Sequence, residues 1–277
     1  NRRKASPAAA IFTVLVLAAL FVWRMLGSPE DGKTQITLPN GELHVWFLDV
    51  GQADSSLLVC DGQAMLIDGG NVDDASYVVA SLEHYGVTSL DYVINTHCDE
   101  DHVGGLAGVL AKFPAEHVWS STAEYGTKAF SNFVKYANEQ GRAIEIPSPG
   151  DTFTLGEAEI TVLGPLRDYE NNNENSIVLR VDYGGTSFLF TGDMEQNAEA
   201  DLMDSGANVQ ADVLKVGHHG SPTSSSEAFL EAVAPSIAVI SVGENNDYGH
   251  PSADVLARLE ALGTAIYRPD TQGEMIS

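Results

Sequence analysis

Residues 96–105 read Thr96-His97-Cys98-Asp99-Glu100-Asp101-His102-Val103-Gly104-Gly105. The stretch follows an apolar run, Tyr92–Thr96, that predicts a strand, and it opens Val103–Lys112, which predicts a helix. On extended backbone His97, Asp99 and Asp101 would project to one side, and His102 would turn in where the helix begins. Such a cluster of nitrogen and oxygen donors within a few residues is what a divalent metal site requires. Gly104 and Gly105 would let the backbone pass close to it. Alone, the stretch could be a solvated polar loop. Other strand-like runs argue otherwise, because each ends on a candidate donor. Asp68 closes Met65-Leu66-Ile67, Asp193 follows Leu189-Phe190-Thr191-Gly192, and His218 and His219 follow Val213–Gly217. Strands that each deliver a histidine or aspartate at the C-terminal end build one convergent rim.

On either side of the stretch, strand-like and helix-like segments alternate. Leu43–Val50, Ser55–Val59 and Ala64–Asp68 predict three consecutive strands. Ala75–Tyr85 predicts a helix capped by Asp73 or Asp74 and stopped at Gly86. Val118–Ser120, Ala143–Ile146 and Glu159–Leu163 predict strands, with a helix over Thr127–Gln140. Ile177–Asp182 and Ser187–Thr191 read as a hairpin turning at Gly184-Gly185. Helices over Gln196–Asp204, Ser225–Val233 and Ala253–Leu262 then alternate with strands over Val213–Val216, Ile237–Ser241 and Ala265–Tyr267, and a last strand would be cut short at Ser277. Strands come in runs as well as alternating with helices. The expected class is therefore α/β with mixed sheets and helices outside.

Ala8–Trp23 carries no charge and follows Arg2, Arg3 and Lys4. Ala8–Leu26 as a helix would cross a hydrocarbon core, with Trp23 at the interface and Arg24 snorkelling. The basic flank places the N-terminus inside and the rest of the chain outside the cell membrane. No A-x-A site follows, which favours a single-pass anchor over a cleaved signal that would release a secreted protein. The expected organisation is residues 1–27 as anchor or signal segment, 28–40 as linker and 41–277 as the globular domain. The net charge is −25 from 14 basic and 39 acidic residues. That excludes binding nucleic acid through an extended basic surface and argues against anionic membrane surfaces. Cys60 and Cys98 are too few for a disulfide framework or a four-cysteine zinc site. Cys60 reads as core. Cys98, between two donors, would point away from them.

Several phrases together resemble the metallo-β-lactamase superfamily, and within it the hydrolase domain of ComEC-type competence proteins. They are Phe47-Leu48-Asp49-Val50-Gly51-Gln52-Ala53-Asp54, Asn175-Ser176, Phe190-Thr191-Gly192-Asp193, Lys215-Val216-Gly217-His218-His219-Gly220-Ser221 and Tyr248-Gly249-His250-Pro251. The resemblance runs from Leu43 to the end. It implies a four-layer αβ/βα sandwich with two mixed sheets and a two-metal site at one edge. By resemblance His97 and Asp99 serve the first metal, Asp101 and His102 the second, and Asp193 bridges both. His219 completes the second site, His218 lies beside the substrate, and Asp68 orients a ligand histidine. Asp99 stands where the superfamily has a histidine, and Asn175-Ser176 stands near the place of the usual separate histidine of the first metal. An oxygen-rich first site widens the expected cofactor to two divalent ions, Zn²⁺ or Mn²⁺. Asp49 and Asp54 are left between a family role and the shaping of a turn.

The implied chemistry is hydrolysis by a metal-activated hydroxide, with His218 or His250 as the acid for the leaving oxygen. Lys215, Ser221 and Thr223 could contact a phosphate; Asn175 and Ser176 could be ligands or hydrogen-bonding supports. ComEC-type domains are linked to DNA uptake, so the expected substrate is a phosphodiester, including single-stranded DNA. The alternatives are a cell-surface esterase acting on small phosphodiesters or wall polymer, and a non-catalytic surface module that keeps the fold. No protein partner can be inferred.

Overall fold

The structure, a computed structural model, describes Leu38, residues 40–272 and residues 275–276. Two sheets organise them. The first has the order β13-β1-β2-β3-β4-β5, from Leu43–Phe47 (β1), Ser56–Cys60 (β2), Gln63–Ile67 (β3), Leu90–Asn95 (β4), Ala115–Ser120 (β5) and Met275–Ile276 (β13). The second has the order β12-β11-β10-β9-β8-β7-β6, from Thr152–Leu155 (β6), Ala158–Gly164 (β7), Val178–Tyr183 (β8), Thr186–Phe190 (β9), Val213–Lys215 (β10), Ile237–Val239 (β11) and Ala265–Tyr267 (β12). Each sheet is antiparallel in one part and parallel in another. In the first, β1, β2 and β3 run antiparallel while β4 and β5 continue parallel to β3. In the second, β6 to β9 run antiparallel while β10 to β12 continue parallel to β9.

Strand alternation splits the side chains into layers. Along β1, Val45 and Phe47 face the second sheet, whereas Trp46 faces helices. The Phe47 and Phe190 rings stack at 5.9 Å across the seam between the sheets. Helices Ala75–His84 (α1), Leu106–Lys112 (α3) and Lys128–Glu139 (α4) bury Leu82, Leu106 and Phe133 on the outside of the first sheet. Helices Gln196–Asp204 (α5), Glu227–Val233 (α6) and Ala253–Ala261 (α7) bury Leu202, Phe229 and Leu259 on the outside of the second. Each such side chain contributes roughly 1.5–3 kcal/mol by leaving water. The expected αβ/βα sandwich of two mixed sheets is thus the architecture observed.

Some elements differ from expectation. The helix expected over Val103–Lys112 is two pieces, Glu100–Val103 (α2) and α3, parted at Gly104-Gly105. A Cβ at Gly105 would overlap the Gly69 carbonyl, so the glycines let this turn lie on the loop after β3. Asp74 accepts from the Asn71 N–H at 2.8 Å and closes the turn before α1 instead of capping the helix. Ala143–Ile146 forms no strand, only a single bridge from Glu145 to Trp119, while β6 was not foreseen. The short last strand is present and pairs antiparallel with β1. The apolar segment 8–26 expected to span a membrane lies outside the described residues, as does the linker apart from Leu38 and Asn40. Among the described residues no helix is long and apolar enough to cross a membrane.

Candidate metal centre

The parallel strands of both sheets end at one seam. From the first sheet, β3 delivers Asp68, and β4 delivers Thr96 and His97 followed by the α2 turn carrying Asp101 and His102. From the second, β9 delivers Asp193 and β10 delivers His218 and His219. Asp101, His102, Asp193 and His219 each place one donor atom within 4.8 Å of the others. His102 Nε2 lies 3.2 Å from Asp193 Oδ1 and 3.9 Å from Asp101 Oδ2. His219 Nε2 lies 3.2 Å from Asp101 Oδ2 and 3.7 Å from Asp193 Oδ2. His97 joins from the other side, its Nε2 3.5 Å from Asp99 Oδ2 and 3.9 Å from Asp193 Oδ2. Asp193 therefore faces His102 with one oxygen and His97 and His219 with the other.

A second ring of groups aims these donors. Asp68 Oδ2 contacts His102 Nδ1 at 2.8 Å, and the same carboxylate accepts from the Thr96 N–H and hydroxyl. His219 Nδ1 meets the Ser241 carbonyl at 2.9 Å. With both Nδ1 atoms engaged as donors, both Nε2 atoms face the cluster. The Ser176 hydroxyl donates to the Asn173 carbonyl at 2.7 Å, accepts from the Asp193 N–H at 3.0 Å and lies 3.4 Å from His97 Nδ1. Gly192 takes φ +51°, and a Cβ there would press on Ser176 and Thr96. His218 and His219 both occupy the left-handed region, at φ 47° and 52°. That conformation costs on the order of 1–3 kcal/mol per residue and marks functional turns. Here it sends His219 into the cluster and leaves His218 at the rim, 23% exposed.

The charges are settled by mutual attraction. Burial disfavours a charged His102, but Asp193, Asp68 and Asp101 outweigh it and hold its pKa well above the ordinary imidazole value. Burial likewise opposes ionisation of Asp101 and Asp193. His102 and His219 override it, keeping Asp101 down at about 2 and Asp193 well below the usual carboxylate range. The carboxylates are thus in the ionised, ligating state. A divalent ion fits on a further observation: His97 Nε2, His102 Nε2 and Asp193 Oδ1 are buried with no hydrogen-bond partner. His102 Nε2 and Asp193 Oδ1 meet each other only as an ion pair at 3.2 Å, and three buried polar atoms that converge without a hydrogen bond are costly for a fold that binds nothing there.

Other expected residues sit differently. Lys215 is 3% exposed, its ammonium 2.7 Å from Asp54 Oδ2 and 2.9 Å from the Val216 carbonyl. It points inward and cannot reach a phosphate, which corrects that reading. Asp54 shapes more than a turn: its Oδ1 lies 3.6 Å from His219 Nδ1. Asn175 spends its amide on Tyr169 and Asn171, bracing its loop instead of the cluster. Ser221 is buried and bonds Thr223 at 2.9 Å. His250 stands edge-on to His218, ring centroids 5.6 Å apart. Cys98 is buried, hydrogen-bonded by Asn95, and burial pushes its thiol up to about 12. It is a spectator. The sequence reading missed Glu195, whose Oε1 lies 2.9 Å from His218 Nδ1, and Asn172, which donates to Asp99 Oδ1 at 2.8 Å. No local spacing signals either one.

A four-layer sandwich with a histidine–aspartate cluster at the seam of its two sheets defines a class of metal-binding proteins that are typically hydrolases. The chain belongs to the metallo-beta-lactamase superfamily, whose pattern matches residues 48–244. It is 31% identical over 253 residues to ComE operon protein 3 of Bacillus subtilis, covering 84% of this chain and 33% of that protein. It is 34% identical over 266 residues to competence protein ComA of Neisseria gonorrhoeae, covering 95% of this chain and 35% of that one. The likeness to ComEC-type competence proteins is therefore borne out, and the chain spans about a third of the length of these relatives. Among solved structures, the metallo-beta-lactamase fold protein YhfI of Bacillus subtilis superposes with TM-score 0.57 at 12% identity, over 85% of this chain and all of that one. CmlA, a diiron beta-hydroxylase from Streptomyces venezuelae, superposes with TM-score 0.56 at 14% identity, over 87% of this chain and 55% of that one. These two show the shared fold.

Proposed function

We propose that the chain hydrolyses phosphodiesters with two divalent ions, Zn²⁺ or Mn²⁺, as cofactors. The convergence of His97 Nε2, His102 Nε2 and Asp193 Oδ1, buried and without a hydrogen bond, carries the reading. His219, His102 and Asp101 would hold one ion, His97 and Asp99 the other, with Asp193 between them. Such ions supply Lewis acidity, which polarises a phosphoryl oxygen and lowers the pKa of water.

The chain's own residues do the rest. Asp68 and the Ser241 carbonyl keep His102 and His219 in the tautomer that presents Nε2. Glu195 fixes His218 through Nδ1, so Nε2, 3.8 Å from Asp193 Oδ2, faces the cluster from the open side. There it is placed to give a proton to the leaving oxygen. His250 backs the His218 ring and reaches no carboxylate in the cluster. Phosphodiester substrates, single-stranded DNA among them, are favoured by the likeness to proteins named for competence and for recombination. The apolar run 8–26, with Arg2, Arg3 and Lys4 before it, supports a cell-membrane location with this domain outside.

The test is metal content by plasma mass spectrometry together with hydrolysis of bis-(p-nitrophenyl) phosphate. The reading expects stoichiometric transition metal and metal-stimulated turnover that Asp101→Asn abolishes. Metal-free protein that does not take up Zn²⁺ or Mn²⁺, or activity unchanged in that variant, would leave a non-catalytic surface module.

A further inference from the structure

A row of rings leads outward from the cluster. His218 Nε2 lies 3.8 Å from Asp193, His250 stands edge-on to His218, and Tyr248 stacks on His250 at 5.7 Å with the ring planes 25° apart. Tyr248 is 73% exposed, well above any other large apolar or aromatic side chain among the described residues. Its loop is braced. Asn246 Oδ1 accepts from the Tyr248 and His250 N–H groups, and its Nδ2 donates to the Gly243 and His250 carbonyls. Gln52 in turn accepts from the Gly243 N–H at 3.2 Å. An aromatic face held out in water beside a catalytic rim, on a loop built to keep it there, is a surface awaiting a planar partner.

The charges around it narrow the partner. Glu244 and Asp247 precede Tyr248 in sequence, and Glu195 stands beside His218. Apart from Lys128, every lysine and arginine among the described residues already donates to a partner. Lys112, Lys135, Arg167, Arg180 and Arg268 pair with acids, Arg142 and Arg258 bond carbonyls, and Lys215 is buried on Asp54. A row of phosphates would find one unpaired lysine among the described residues, Lys128, and that one shares its cavity with Glu100, Asp73 and Asp74. Polynucleotide binding through the backbone needs several. Stacking of a base on an aromatic ring needs none and contributes about 1–3 kcal/mol.

We propose that Tyr248, backed by His250, is a stacking platform for a nucleobase next to the scissile phosphate. The substrate is then a base-bearing phosphodiester gripped at one stacked base and at the cluster, with no extended hold on a polynucleotide backbone. This rests on the phosphodiester reading above, but its test does not need turnover.

A dinucleotide carrying 2-aminopurine and a non-hydrolysable methylene-bridged linkage, added to the full chain with Mn²⁺, reports stacking by fluorescence quenching. Quenching is expected, with the apparent Kd about tenfold weaker in Tyr248→Ala and near wild type in Tyr248→Trp, and changing less than about twofold between 50 and 200 mM salt. Absence of quenching, or equal affinity in Tyr248→Ala, overturns the platform. An affinity that collapses with salt overturns the limited backbone hold. If the probe stacks but bis-(p-nitrophenyl) phosphate is not hydrolysed, the platform stands and the hydrolase reading falls.

Discussion

The two ends of the candidate metal centre are built to different standards. At one end His102 and His219 are buried with an engaged Nδ1 each, and Asp101 beside them has a side chain 30% exposed. At the other, His97 is buried but its neighbour Asp99 has a side chain 43% exposed, held by the exchangeable amide of Asn172. Ser176, near the place of an expected third imidazole, contributes a hydroxyl that is already spent on Asn173 and on the Asp193 N–H. One end is rigid and pre-paid in folding strain at His218 and His219; the other is open to solvent and poor in nitrogen. A rigid nitrogen-rich pocket retains its ion, whereas an open oxygen-rich one exchanges it.

Four substitutions or probes would break or sharpen that contrast. Asp193→Asn touches both ends and should have the largest effect. Metal content by mass spectrometry should fall below one ion per chain, and turnover should drop by about a thousandfold or more. Asp68→Asn attacks only the rigid end, by removing the carboxylate behind His102. It should weaken metal affinity, read by competition with a chromophoric chelator, by roughly 10–100-fold. Asp99→Asn attacks only the open end: the tightly held ion should remain while the weaker one is lost, with turnover lower by roughly tenfold. A variant that lost both ions together would refute the division. The smallest effect concerns Cys98, which lies between His97 and Asp99 of the open end with its side chain in the core. Burial holds its thiol at about 12, so near pH 8 the protonated form prevails and a disulfide reagent should react only as the protein is unfolded in guanidinium. Prompt reaction of the native protein would mean that the segment carrying His97 and Asp99 opens far enough to bare the Cys98 thiol.

The rim was legible in the sequence wherever the signal was local. Asp68, His97, Asp193 and the His218-His219 pair each follow an apolar run, and strand ends advertise themselves that way. His102 was expected at a helix start and stands inside a short helical turn instead, because Gly104 and Gly105 part the helix. The supports were illegible for the opposite reason. Asn172 lies 73 residues from Asp99, and Asp54 meets Lys215 only across the seam of the two sheets. An amide or an acid in a loop has no periodicity, so only folding shows what it touches. Lys215 stood open between phosphate contact and packing because lysines are usually exposed, and here the ammonium is neutralised inside.

The cluster draws its donors from both sheets: His97, Asp101 and His102 from one half of the sandwich, Asp193 and His219 from the other. Any cation seated there acts as a rivet through the two plates. Removing it should do more than silence chemistry, since the halves would then keep only apolar contact and a few polar links such as Asp54–Lys215 and Asn172–Asp99, and could slip past each other more easily under heat or force.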